Sequence, residues 1–113
     1  FVCRDIYLSK QKVTISRIVD FYGDFPRNIS FKNEFLSFII SKKIEYLDFL
    51  IFGLKIDLLN KQGFLLKNKD ELVPNYFEPF VKKNIKLGIA IIKNYYKNKL
   101  IIVKGDGDQE RKA

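Results

Sequence analysis

The chain has no histidine, no methionine and no tryptophan, and one cysteine among its 113 residues. Without histidine it lacks the commonest general base and the commonest metal ligand. With Cys3 as the only thiol, an internal disulfide and a Cys/His zinc site are both excluded, and the composition fits a reducing compartment. Long apolar runs are missing as well. The longest, residues 49–54, is bounded by Asp48 and Lys55 and falls far short of the roughly 20 residues needed to cross a bilayer. No signal peptide is visible. Catalysis would have to rest on carboxylates or lysine, and no convergent pair of either is found. The expectation is a binding protein, not an enzyme, with no cofactor, no metal and no small-molecule substrate.

Acidic residues are absent from residues 79–105, whereas seven lysines occur there: Lys82, Lys83, Lys86, Lys93, Lys97, Lys99 and Lys104. Tyr95, Tyr96 and three asparagines are interleaved with them. Residues 81–113 hold 9 basic and 3 acidic groups and so carry most of the net charge of +8, while the first 80 residues are nearly neutral, with 12 basic and 10 acidic. Such an asymmetry between two halves marks a nucleic-acid-binding or membrane-binding end. Ordinary solvated helix faces mix charge signs, and this segment does not, which points to a polyanion. The candidate RNA-binding residues are Lys82, Lys83, Lys86, Lys93, Tyr95, Lys97, Lys99, Lys104 and Arg111. The lysines would act on phosphates as point charges, and Tyr95 could stack on an unpaired base. Asp106-Gly107-Asp108 lacks the ligand spacing and late glutamate of a calcium loop, since Glu110 is too close.

A hydrophobic fraction of 47% with eleven Phe and six Tyr is ample for one folded domain. The expected organisation is a single helical domain over residues 1–104 and a flexible tail over 105–113. Residues 4–8 read as a short extended segment with Ile6 and Leu8 on one face. Residues 12–22, with Val13, Ile15, Ile18, Val19 and Tyr22 apolar, read as a helix that Gly23 stops. Ser30 is placed to cap a second helix running to about Lys43, in which Phe31, Phe35, Phe38 and Ile39 recur at helical spacing. Residues 46–59 are apolar around Gly53 and fit two short helices or a helix and a turn. They read as core or as a protein-contact surface. Pro79 suits the first turn of a long last helix, where Val81, Ile85, Ile89, Ile92 and Tyr96 form an apolar stripe beside Lys82, Lys86, Lys93 and Lys97. Residues 100–103 read as a short extended run. The expected fold class is therefore mostly α.

Two stretches resemble the S-thirteen family of small-subunit ribosomal proteins. The first is DIYLSKQKVTISRIVDFYG at residues 5–23, where Lys12, Val13, Ile15, Ile18, Tyr22 and Gly23 fall on the family's turn, helix and tyrosine-glycine stop. The second is VKKNIKLGIAIIKNY at residues 81–95, where Val81, Asn84, Ile85, Lys86, Ile89 and Ile91 match a helix of that family. Val103-Lys104-Gly105 is similar to the opening of its basic C-terminal tail. The resemblance implies a helix–two-turn–helix element and a structural, non-catalytic place in the head of the small ribosomal subunit. The implied partners are ribosomal RNA, a neighbouring protein of the S-nineteen family, and large-subunit protein across an intersubunit bridge. Lys, Ile, Phe, Tyr and Asn have A/T-rich codons, and their abundance points to an A/T-rich genome. The expected location is thus a mitochondrial ribosome, or else a bacterial or parasite cytoplasm. Two alternatives stay open. One is a DNA-binding helix–turn–helix protein with residues 30–43 as recognition helix. The other is a protein-interaction module, such as an immunity or accessory protein, that uses its Phe-rich centre.

Overall fold

The fold comes from a computed structural model, which describes residues 1–73 and 100–103. Its centre is strand β2 (Val13–Asp20), flanked on one side by β1 (Val2–Leu8) and on the other by β3 (Ile44–Phe49), in sheet order β1-β2-β3. The pair β1–β2 is antiparallel and is closed by a turn over residues 9–12 in which Lys12 adopts φ 56°. The pair β2–β3 is parallel, and parallel neighbours need a crossover. That crossover is helix α1 (Lys32–Ser41). A second, two-stranded sheet pairs β4 (Ile51–Phe52) with β5 (Ile102–Val103), and helix α2 (Ile56–Lys61) follows β4.

This architecture corrects the mostly helical expectation: the described residues form three-stranded and two-stranded sheets with two short helices. Residues 13–20 are a strand, not a helix, and no helix–two-turn–helix element is built from them. The reason is physical. A central strand covered on both faces does not alternate between apolar and polar residues, so Val13, Ile15, Ile18 and Val19 imitate a helical stripe. The β-branched residues Val13, Thr14, Ile15, Ile18 and Val19 favour the pleated state, and Ile15, Ser16, Arg17 and Ile18 are all buried. Gly23 does take a positive φ of 80°, but it follows a strand. Residues 46–59 contribute β3, β4 and α2 in place of two helices. The segment expected at 4–8 is extended within β1, that expected at 100–103 is a strand over its last two residues, and the second helix is present, ending before Lys43 at φ 52°. The expected last helix and the tail lie outside the described residues.

Pairing register sorts the side chains onto two faces. Cys3, Asp5, Ser16, Ile18, Leu47 and Phe49 share one, and Arg4, Ile6, Ile15, Arg17 and Asp48 share the other. Helix α1 lies over the first face, where Phe35 packs on Phe1 with ring centroids 5.2 Å apart and Lys42 reaches Asp5. Six phenylalanines tie the elements together there: Phe1, Phe21, Phe25, Phe35, Phe49 and Phe64, in contacts of 5.2–6.3 Å between centroids, several of them edge-to-face. Each such pair adds about 0.5–1.5 kcal/mol beyond area burial.

On the second face Arg17 donates from Nε and Nη2 to the two carboxylate oxygens of Asp48, both at 2.7 Å. The Arg17 side chain is 5% exposed and the Asp48 side chain 20%. Arg17 and Asp48 are also register partners in the parallel pair. The bidentate fork thus locks β3 against β2 at one position, and a slip of a single residue would turn the β3 side chains to the wrong face. Removing one member strands a buried charge, whereas replacing both with apolar groups does not. Asp48→Ala is expected to lower stability by about 3 kcal/mol, and the double variant Arg17→Met/Asp48→Leu by much less. Urea denaturation of the three proteins checks this: equal losses for single and double variants would show that the pair is not what holds the register.

Candidate nucleic-acid interface

Of the candidate RNA-binding residues, Lys82, Lys83, Lys86, Lys93, Tyr95, Lys97, Lys99, Lys104 and Arg111 all lie outside the described residues. The structure fixes the flanks of the lysine-bearing segment instead. The described chain runs to Val73 and resumes at Leu100, and β5 follows directly, with Val103 buried at 6% exposure. The Phe-rich centre, read from sequence as core or contact surface, is divided: Phe49 packs on Phe1, Phe21 and Phe64, while Phe52 and Ile56 are exposed and no residue of 46–59 is fully buried.

Among the described residues the most heavily braced exposed element is the connection from β2 to α1, residues 21–31. It is long for a strand-to-helix loop, which usually has 2–6 residues, and it stands at the carboxyl end of β2. Its anchor is Gln62, 1% exposed, whose side chain satisfies three loop groups. Oε1 accepts from the Phe31 N–H at 2.7 Å, and Nε2 donates to the carbonyls of Ile29 at 2.9 Å and Pro26 at 3.3 Å. Ser30 Oγ donates to the Lys61 carbonyl at 2.8 Å and accepts the Lys32 N–H at 3.3 Å. Lys61 Nζ donates to the Arg27 carbonyl at 2.8 Å. The inner side of the loop is held by Phe25, 6% exposed in the aromatic cluster. The outer side presents Tyr22 at 82% exposure, Ile29 at 63%, and the exposed Arg27 and Asn28.

Sequence reasoning missed this element. The sequence reading places Tyr22 in a helix, and nothing local ties Gln62 to residues more than 30 positions earlier. The only cue was Ser30, read as a helix cap; its hydroxyl does accept an N–H in the first turn, although Phe31 occupies the cap position. Chemically, an exposed ring and a guanidinium on a stiff backbone can stack on a planar group and hold an anion. Exposed Lys32 and Lys61 lie nearby, and Asp24 opposes them.

A second polar cluster links the sheet to α1. Buried Ser16 donates from Oγ to Asp5 Oδ1 at 2.6 Å, and Lys42 Nζ donates to Asp5 Oδ2 at 2.8 Å. The Lys42 hydrogen bond, then the Ser16 hydrogen bond, holds the Asp5 carboxyl below its ordinary value of 3.8. Burial, reinforced by the Asp5 charge, pushes the neighbouring Cys3 thiol up, which leaves it protonated and unreactive at neutral pH. Among the described residues no group of three or more His, Cys, Asp or Glu could hold a metal ion, and no helix is long and apolar enough to cross a membrane. No protein-family model, no curated protein and no solved structure matches the chain.

Because the folded-state pKa of Asp5 is depressed, its contribution to stability is fully present above the unfolded-state value of 3.8 and is lost as pH falls through the folded-state value. Asp5→Asn is therefore expected to be less stable than the wild type at pH 7, with the gap closing as pH drops below 3.8. Thermal melts of both proteins from pH 7 to pH 2 test this, and a gap independent of pH would contradict it. Gln62→Leu removes all three loop bonds at constant bulk and should speed amide exchange at Phe31, with a stability loss of about 2–3 kcal/mol; unchanged exchange at Phe31 would show that the loop is held by other contacts.

Proposed function

We propose that the chain is a non-catalytic RNA-binding protein whose lysine-bearing segment, residues 82–104, contacts the phosphate backbone. One observation carries the reading: charge is segregated along the chain. Seven lysines stand in residues 79–105 without a single acid, whereas the first 80 residues balance 12 basic against 10 acidic groups. The described fold deepens that contrast, because it engages charges internally. Arg17 is paired with Asp48, and Asp5 with Lys42. A polyanion meets the uncompensated end. The lysines there contribute affinity by counterion release and carry no sequence readout, and Tyr95 offers a ring to an unpaired base.

The narrower form of this proposal is a constituent of the small ribosomal subunit, in a mitochondrial or other A/T-rich translation system, beside S-nineteen-family and large-subunit proteins. Its support is the likeness at residues 81–95 and at Val103-Lys104-Gly105. Residues 5–23 no longer contribute to it, since they form the β1–β2 hairpin. The DNA-binding helix–turn–helix reading loses its basis, because α1 is the crossover helix packed against β3. A protein-interaction reading keeps one specific observation in its favour: Leu36 and Ile40, one turn apart on α1, are 45% and 74% exposed.

With about five lysines on single-stranded RNA, the logarithm of the binding constant should fall with log salt at a slope of about −3.5. Lys86→Glu/Lys93→Glu should weaken binding at every salt concentration and make the slope shallower by about 1.4. Fluorescence anisotropy on a labelled 20-nucleotide oligouridine reads both, and indifference to the double substitution would sink the proposal. Sedimentation of the native protein through sucrose gradients tests the ribosomal form. Co-migration with small subunits at moderate salt supports it, and slow sedimentation at all salt concentrations rejects it. If the protein-interaction reading holds instead, Leu36→Asp/Ile40→Asp abolishes partner binding while Lys86→Glu/Lys93→Glu leaves it intact.

A further inference from the structure

Two residues other than glycine have a positive φ among the described residues, and both are lysines: Lys12 at 56° and Lys43 at 52°. Left-handed backbone is strained for a residue with a Cβ, and glycine or asparagine is its usual occupant. Lys12 ends the turn of the β1–β2 hairpin, and Lys43 directly follows Lys42, the C-cap of α1. Glycine is the common choice in both places. At the other positive-φ positions, 23, 53 and 63, the chain does have glycine. Strain kept where a glycine would relieve it points to a use for the side chain.

The fold sets these two lysines side by side. At one end of the sheet β1 finishes while β2 and β3 begin. Lys12 precedes β2 and Lys43 precedes β3, and the two strands pair from Thr14 opposite Ile44. Adjacent strands lie about 4.8 Å apart, so residues far apart in the chain become neighbours here. Lys10, in the hairpin turn, is exposed at the same end, as are Lys12 and Lys43. Among the described residues Lys42 is engaged by Asp5, whereas no ion pair engages Lys10, Lys12 or Lys43. Exposed Glu45, the second residue of β3, opposes them. Tyr7, 64% exposed, stands one row into the sheet, opposite Thr14.

Resting on the RNA-binding reading above for the class of ligand, we propose that this end of the sheet is a second RNA-contact surface. Lys10, Lys12 and Lys43 meet phosphates of a single strand, and Tyr7 stacks on an unpaired base. The surface belongs to the described fold and needs no part of residues 82–104. The lysines supply affinity through counterion release. The exposed ring supplies a face for a planar base, which a membrane surface or an acidic protein does not require. Strand pairing and the end of α1 fix the lysine backbones before binding, so little ordering is left to be done on association.

The test uses the 113-residue chain and the labelled 20-nucleotide oligouridine across a salt series. Lys10→Gln/Lys12→Asn/Lys43→Asn removes three charges, and asparagine accepts the left-handed backbone. Binding should weaken about tenfold near 0.1 M salt, with a slope shallower by about 2, at an unchanged or higher urea midpoint. Tyr7→Thr should weaken binding about fivefold or more and leave the slope unaltered. Unchanged affinity of the triple variant overturns the proposal whatever its midpoint, and a loss on Lys86→Glu/Lys93→Glu then leaves the RNA-binding reading standing. No binding by the wild type overturns both. Tighter binding to vesicles of phosphatidylcholine and phosphatidylserine than to oligouridine, lost in the triple variant, would assign the surface to a membrane and reject the RNA contact. Where the triple variant fails to fold, Lys10→Glu in the exposed turn replaces it. That single change should make the slope shallower by about 0.7, and an unaltered slope overturns the proposal.

Discussion

The fork between Arg17 and Asp48 is the interaction on which the arrangement of the sheet depends. Parallel strands are not held in register by a tight turn as hairpins are, and the β2–β3 pair is joined through a loop and a helix. Something must set which residue faces which. Two bonds of 2.7 Å between register partners do so, because a planar guanidinium meets a carboxylate in one geometry only. With that register set, Leu47 and Phe49 share the face that α1 covers and Phe49 joins the aromatic cluster, while Ile15 and Arg17 share the opposite face. Such a pair contributes more to choosing one structure than to net stability, since desolvation offsets much of its attraction.

From that register follows the bracing of the β2–α1 connection. Phe49 and Phe64 bring the chain after α2 against the start of the loop, and Gln62 then lies within reach of Pro26, Ile29 and Phe31. A buried side-chain amide that bonds three backbone groups satisfies all of them and gives the loop one shape. The division of labour proposed for the chain matches its division of charge: the first 80 residues are nearly neutral and hold the internal ion pairs, and the lysines without acids lie beyond them.

Much of the reading at residue level came from local pattern. The extended segments around Ile6 and around Ile102, the helix carrying Phe35 and Phe38, and the left-handed glycine at position 23 were all legible, because each depends on spacing or backbone freedom within a few residues. The central strand was not. Ile15 and Ile18 are three apart, as on a helix face, and only burial on both sides of the sheet makes that spacing compatible with a strand. The resemblance over residues 5–23 drew on the same ambiguous stretch. The braced loop was not legible either, since its anchor stands 31 residues beyond the N–H it accepts.

What the sequence determined by itself is chemical capacity. No histidine and a single cysteine leave no Cys/His zinc set and no histidine acid–base group within the 113 residues, and the run of lysines without acids assigns the positive charge to one end, because composition and charge do not depend on how the chain folds. The tertiary structure alone decided that residues 13–20 are a strand, that Arg17 answers Asp48, that Gln62 holds residues 21–31, and that Lys12 and Lys43 stand at the same end of the sheet. Each of these is a contact between segments far apart in the chain. The favourable state of a residue there is set by what packs on it, and local propensity is too weak to resist.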